Sequence, residues 1–452
     1  MTRTLALIVA LLVTTVGVAP ARAAVAMDAP TAASAAEASA IVPGSVDRSS
    51  LQVQATYLVA ANVAVSTGVI NVTTTIQARN DSGDGIDRLE LNTIAAHLGA
   101  MTLTSASVDG TPAAVTVNDQ TLIVPLGGIL PAGATVEVQI GYRATLRNSL
   151  SGSNWMWTRY GGTLALYRWI PWISAVRPFG PDHGDPFVTP SSPHVHVDLK
   201  LDKAMVLAAP ANNLPTAASK AWSFGLDNIR DVSIVLAPDF TVTKTTVDGI
   251  NIRAYSRPGG VSGSTLASEA RSALHAEAGR VGVPYAWPNL TVVETKGGVA
   301  MESPRSIWIP GNSASTNVRY LVYHETAHQW FYGLVGNDQS LEPFADEAAA
   351  DMLARSVLGS FRSTRCATDD LDRRTSAYTA ACYYETIYIQ GANFLNKMRG
   401  KMGTTRFWAA LAGYIQANRH GLAGTKQLLD GLRAASPVDI LPNLEARFPT
   451  LY

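Results

Sequence analysis

The sequence predicts an α+β protein in which an N-terminal antiparallel β-sandwich or saddle is followed by a mostly helical domain. Three observations carry this. From Leu51 to about Lys244, alternating apolar and polar residues form runs separated by turn dipeptides. Beyond about Ser264, apolar residues recur mainly at helical spacing, with a few short strand-like stretches between them. Within that second part, His324 and His328 are four residues apart and Glu347 lies nineteen residues further on, a pattern that fits facing helices.

Taken in order, the chain opens with Met1-Thr2-Arg3, a weakly polar-to-apolar stretch from Leu5 to Ala19, and Ala21-Arg22-Ala23. A charged start, an apolar region of that length and a small-x-small site predict a secretory signal peptide, residues 1–23, too short to span a bilayer. Ala, Ser and Thr then dominate residues 24–47, which read as a flexible tether. No second long apolar run is found, so the expectation is a secreted protein with no integral membrane span after cleavage. Lys plus Arg and Asp plus Glu are 35 each. A net charge of zero gives no electrostatic footprint for nucleic acid or an anionic membrane.

Residues 48–247 form the expected β domain. Ile70, Val72, Thr74 and Ile76 alternate, as do Val136, Val138, Ile140 and Tyr142, with turns at Asn80-Asp81-Ser82-Gly83 and Asp109-Gly110. Asp248-Gly249 reads as the boundary to a domain over residues 248–452. That domain starts with a strand from Ile250 to Tyr255 and a helix from about Ser264 to Arg280. Strand-like stretches come next, from Leu290 to Glu294 and from Ile307 to Ile309. Val318, Leu321, Val322 and Phe331 predict a helix from Thr316 to Leu334, and another starts near Pro343 and ends by Gly359.

Four residues advance a helix by about 400°, so His324 and His328 leave one face a turn apart, where they can hold one Zn²⁺. Glu347 completes a two-His-one-Glu set with a fourth position open for water, the mark of a catalytic rather than a structural site. Two core histidines are the bland alternative, but this combination arises by chance on the order of once in ten thousand chains. Glu325, between the ligands, lies beside the metal and is assigned as general base toward water and then proton donor to the leaving amine. Asp351, one turn after Glu347, is placed to accept the free N–H of a ligand histidine.

These residues resemble the gluzincin metallopeptidases, and two further segments resemble the aminopeptidase N (membrane alanyl aminopeptidase) family among them. Val299-Ala300-Met301-Glu302-Ser303 is similar to that family's G-A-M-E-N exopeptidase motif, and Tyr388-Ile389-Gln390-Gly391-Ala392 to its Y-x-K-G-A segment. The resemblance implies a thermolysin-like catalytic domain and an oxyanion-stabilising Tyr388. It also implies substrate contacts from Ala300, Met301 and Glu302, with Glu302 anchoring the α-ammonium of a peptide. Val299 and Ser303 depart from the motif, a Gln-x-Glu counterpart is not found, and Asp346-Glu347-Ala348 replaces Asn-Glu-Gly. The family's large carboxy-terminal helical domain has no counterpart in the 64 residues after Tyr388, so a more open site is expected.

Cys366 and Cys382 are the whole cysteine complement. In an exported protein they can pair and contribute about 3 kcal/mol in the chain-entropy model; two free buried thiols are the other reading. His194 and His196 share a strand face without an evident third ligand, and Trp155, Trp157, Trp169 and Trp172 suit core packing better than a carbohydrate platform. The functional expectation is an exported zinc aminopeptidase acting on peptides. The alternatives are a thermolysin-like endopeptidase and a non-catalytic binding protein that keeps the fold.

Overall fold

A computed structural model describes residues 40–179 and 187–452; the expected signal peptide and most of the expected tether lie outside the described residues. Residues 40–452 form one compact unit in which a large β region precedes a helical one. The β region contains a ten-stranded and a four-stranded sheet. Val53–Ala64 and Val69–Asn80 are buried at every second residue, as the alternation predicts, so each strand turns one apolar face to a shared core. The expectation of purely antiparallel pairing fails for one pair of long strands in this region. Val53–Ala64 runs parallel to Ser192–Ala208, with Tyr57 opposite Val195. Parallel neighbours need a long connection, and here more than a hundred residues lie between the two strands.

Ser192–Ala208 is the hinge of the ten-stranded sheet. Its first part pairs with Val53–Ala64 and Ser219–Ile229, the ladder slips between Lys200 and Met205, and Val206–Ala208 pairs with Ile234–Ala237. Beyond it lie Thr163–Leu166 and Trp157–Tyr160, at the end of the sheet that leads to the cavity-lining segment Gly152–Met156. Residues 40–48, which include the described end of the expected tether, are held down. Val42 and Ile129 exchange backbone hydrogen bonds, and Asp87 accepts four bonds from Ser45, Val46, Asp47 and Arg48.

A second, five-stranded sheet begins the helical region. Asp248-Gly249 is the two-residue turn joining Thr241–Val247 to Ile250–Ser256, with both turn residues at positive φ. The helix Gly263–Val281 then crosses over to Asn289–Thr295, which is parallel to both Ile250–Ser256 and Ser306–Pro310. Met301–Ser303 pairs only with Ser306–Pro310 and so forms the edge of this sheet. The helix Ser315–Ala327 packs on that sheet. It stops seven residues short of the expected Leu334, because the bonds from Gln329 and Trp330 tighten to the third residue back and Tyr332 takes φ 120°. Arg230, fully buried, fixes this exit by donating to the carbonyls of Thr189, Gly333 and Gly421. Pro343–Ala345 is a short 3-10 turn and the facing helix is Glu347–Leu358, ended by Gly359 in the left-handed conformation. Among the described residues no helix is long and apolar enough to cross a membrane.

Burial pushes the Asp87 carboxyl up, but the hydrogen bonds it accepts outweigh that and hold it below the ordinary carboxylate range. Its contribution is therefore complete above the unfolded-state value of about 4 and is lost as pH falls through the lower folded value. Asp87→Ala should release residues 40–48 at neutral pH, seen as faster limited proteolysis there, and wild type should approach the same rate only in strong acid. Equal proteolysis of variant and wild type at neutral pH would remove Asp87 from this role.

Candidate metal centre and active site

The helix Ser315–Ala327 delivers His324 and Glu325 and hands over to His328 at its C-cap, while Glu347 is the first residue of the facing helix. Their metal-binding atoms converge. His324 Nε2 lies 3.2 Å from His328 Nε2, and Glu347 Oε2 lies 3.3 Å and 3.2 Å from those two nitrogens. Ligands at about 2.0–2.1 Å in tetrahedral array stand about 3.3 Å from each other, so the spacing is that of a zinc donor set. Glu347 Oε2 and His324 Nδ1 have no hydrogen-bond partner although buried; a cation held by the three donors would satisfy the first. The three residues are able to hold a metal ion.

His328 is oriented by Asp346, whose Oδ1 accepts from Nδ1 at 2.7 Å. The carboxylate expected in that role, Asp351, stands on the His324 side. It is 3.6 Å from His324 Nδ1, too long for a hydrogen bond. Asp351 instead accepts the Tyr320 hydroxyl at 2.6 Å and pairs with Arg355. Asp346 was legible only as a change from Asn in the motif; its position at the entrance of the helix, against His328, depends on the 3-10 turn before it.

The donors face a cavity of about 490 Å³. Glu325 and Tyr388 line it, with Ala300, Met301 and Glu302 on the opposite strand edge. Tyr388 stacks on His324 at 5.3 Å between ring centroids. Burial, then the charge of Glu347, push its hydroxyl well above the ordinary tyrosine range, so it remains a proton donor at neutral pH. It sits in a π-helical turn, Glu385–Gln390, inserted between Ala380–Tyr384 and Gly391–Met402, the kind of helix irregularity that concentrates at functional sites. Cys366 and Cys382 are joined in a disulfide that ties the preceding loop to this segment, and Arg362 holds Glu385 through both carboxylate oxygens.

The strand edge is also fixed. Gly298 has φ 95°, and a Cβ there would strike the Trp155 ring. A glycine is thus required one residue before the motif, not at Val299. Tyr167 donates to the Glu302 carbonyl and Ser303 donates to Asp231, so the Ser that replaces Asn ties the edge to the β region. Trp157, Trp169 and Trp172 are core residues; Trp155 lines the cavity. His194 is exposed and His196 half-buried; they pair with Asp227 and Asp198 and belong to no cluster of three metal-binding side chains among the described residues.

Comparison with solved structures places the chain beside an M1 zinc metallopeptidase variant from Deinococcus radiodurans, with a TM-score of 0.68 and 17% identity over 90% of this chain and 96% of that one. The same peptidase bound to a Tyr-Ser-Ala substrate gives 0.66 at 17% identity, with the same coverage. Its structure without that substitution gives 0.66 at 18%, over 88% and 93% of the two chains. Among curated proteins, Aminopeptidase M1 of Arabidopsis thaliana is 25% identical over 246 residues, 45% of this chain. The chain spans 27% of that relative's length. No family model matches.

Removing the Asp346 carboxylate should weaken zinc binding by about 10–100-fold, the usual cost of losing a carboxylate behind a ligand histidine. Chelator competition on Asp346→Ala measures this; an unchanged dissociation constant would mean that His328 holds its orientation without Asp346. In architecture the chain has the fold of the M1 zinc metallopeptidases, a large β-sheet region followed by a helical one, and it resembles that aminopeptidase family in sequence as well.

Proposed function

We propose that the chain is an exported zinc aminopeptidase that removes residues from the amino termini of peptides. The observation that carries this reading is the buried Glu302 carboxylate lining the same cavity as the convergent His324, His328 and Glu347 donors. Two imidazoles and a carboxylate suit zinc. When bound, zinc lowers the pKa of water in the open position to about 7 and polarises the scissile carbonyl.

The chain's own residues supply the remaining steps. Glu325 takes a proton from the attacking water and passes it to the leaving amine. Tyr388 donates its hydroxyl hydrogen to the oxygen that gains charge as the carbonyl is attacked. Glu302 accepts hydrogen bonds from the substrate ammonium, and its burial makes such a charge-assisted bond strong and an uncharged partner costly. The substrate-bound Deinococcus neighbour supports peptides as substrates by likeness of fold. Export is supported by the leader-like residues 1–23 and by the disulfide, a bond that persists in oxidising compartments.

The test is product mass spectrometry on a peptide library, half of it amino-terminally acetylated, with zinc-loaded mature protein. Stepwise trimming of the free half alone is expected. Internal cuts in both halves would make the protein an endopeptidase, and no cleavage would leave a binding protein. Glu325→Gln should lose orders of magnitude in turnover while still binding zinc, and Tyr388→Phe should lose about 10²–10³ in kcat.

A further inference from the structure

We propose that Gln339 is a positioning residue that couples the amine-anchoring carboxylate to the metal ligand His328; the inference rests on the aminopeptidase reading above. Gln339 lies in the loop between the two ligand helices and is buried. Its Nε2 donates to Glu302 Oε1 at 3.0 Å and to Asp346 Oδ2 at 2.6 Å, and its Oε1 accepts from Arg168 Nη2 at 2.9 Å. An amide is the neutral side chain that offers two N–H donors and one acceptor from a single plane. Its orientation is fixed by its neighbours, because the flipped amide would set its oxygen against two carboxylates and its N–H₂ against a guanidinium.

The two carboxylates serve different ends of the reaction. Asp346 uses its other oxygen to hold His328 Nδ1, whereas Glu302 faces the substrate. One amide between them therefore fixes the distance from the ammonium anchor to the metal, and that distance defines how many residues fit between the terminus and the scissile bond. A displacement of about 1 Å at such a site can cost about 10²-fold in rate. Gln339 is itself pinned from the β region. Its backbone N–H donates to the Phe187 carbonyl, Arg177 Nε donates to the neighbouring Asp338, and the Arg168 guanidinium lies 4.2 Å over the Phe187 ring.

The experiment compares Gln339→Met, which keeps the length of the side chain without its donors, with wild type, Glu302→Gln and the double variant. Three quantities are read in the mature chain: the zinc dissociation constant by chelator competition, and kcat and KM on leucine p-nitroanilide. Gln339→Met should weaken zinc binding about 10–100-fold through Asp346 and raise KM about tenfold or more. In the Glu302→Gln background the KM effect should vanish while the zinc effect persists, a split that general loosening of the loop would not produce. If Gln339→Met does not fold, Gln339→Leu, which also removes both donors without adding charge, should show the same pattern. Zinc affinity and KM both within twofold of wild type, or a KM effect equal in both backgrounds, would overturn the proposal. A wild-type enzyme that leaves leucine p-nitroanilide uncleaved would instead count against the aminopeptidase reading, and the zinc measurement would still decide the link from Gln339 to His328.

Discussion

Three lone-pair-bearing atoms held 3.2–3.3 Å apart in a buried place are the constraint on which the rest of this structure depends. Such atoms repel unless a cation sits among them, and burying them costs several kcal/mol per group when nothing answers their lone pairs. The fold must therefore present them on elements too rigid to let them drift apart. It uses two packed helices and places the ligands at their ends: His328 at the C-cap of one, Glu347 at the first position of the other. His328 and Glu347 thus sit where the chain changes direction, with His324 one turn back in the first helix, so the loop between the helices becomes part of the site.

That loop explains why the β region is more than a neighbour. The segment after His328 turns back under the control of Arg230, a buried guanidinium from the β region whose donors are spent on main-chain carbonyls. Buried cations are costly unless fully paired, and Arg230 pairs only when residues 333–334 and 421 are in their observed places. Arg168 acts likewise further along, through Gln339. Tyr332, Ser303 and Asp231 form a third tie, joining the loop, the strand edge and the β region. Ladder, loop and cavity wall are in this sense one assembly, because Asp231 accepts hydrogen bonds from both the strand edge and the loop.

The local elements were legible because they rest on short-range periodicity. Alternation at Ile70–Ile76 and Val136–Tyr142 set the strands, and the four-residue step set the ligand helix. Glu347 was legible by its offset alone. Long-range pairings were not: nothing in residues 53–64 signals that their parallel partner lies at 192–208. The premature end of the ligand helix was hidden for a related reason. Phe331 and Leu334 continue the apolar rhythm, but a carbonyl-binding arginine a hundred residues away decides the backbone path. Gln339 carried no signal at all, since an amide becomes informative only when its three partners are known. Asp351 is a mixed case, facing His324 Nδ1 at 3.6 Å. Its spacing brings it to the histidine, while Tyr320 and Arg355 also take up its oxygens.

The geometry around Tyr388 obeys the same logic from the other side of the cavity. A regular α-helix through Ala380 to Met402 would rotate Tyr388 by a fixed 100° per residue from Tyr384; the π-helical turn inserts extra length and changes that phase. Such a turn gives up regular bonding and persists when its surroundings hold both ends. Here the disulfide from Cys366 and the two-oxygen grip of Arg362 on Glu385 hold the start, and Gly391, whose Cβ would strike Ala348 on the Glu347 helix, lets the far end pack closely against the ligand helix. The tyrosine hydroxyl and the Glu347 carboxylate are thereby referred to the same helix contact. A donor and a metal ligand that share one packing surface keep a fixed separation, which is what the donor role proposed for Tyr388 requires.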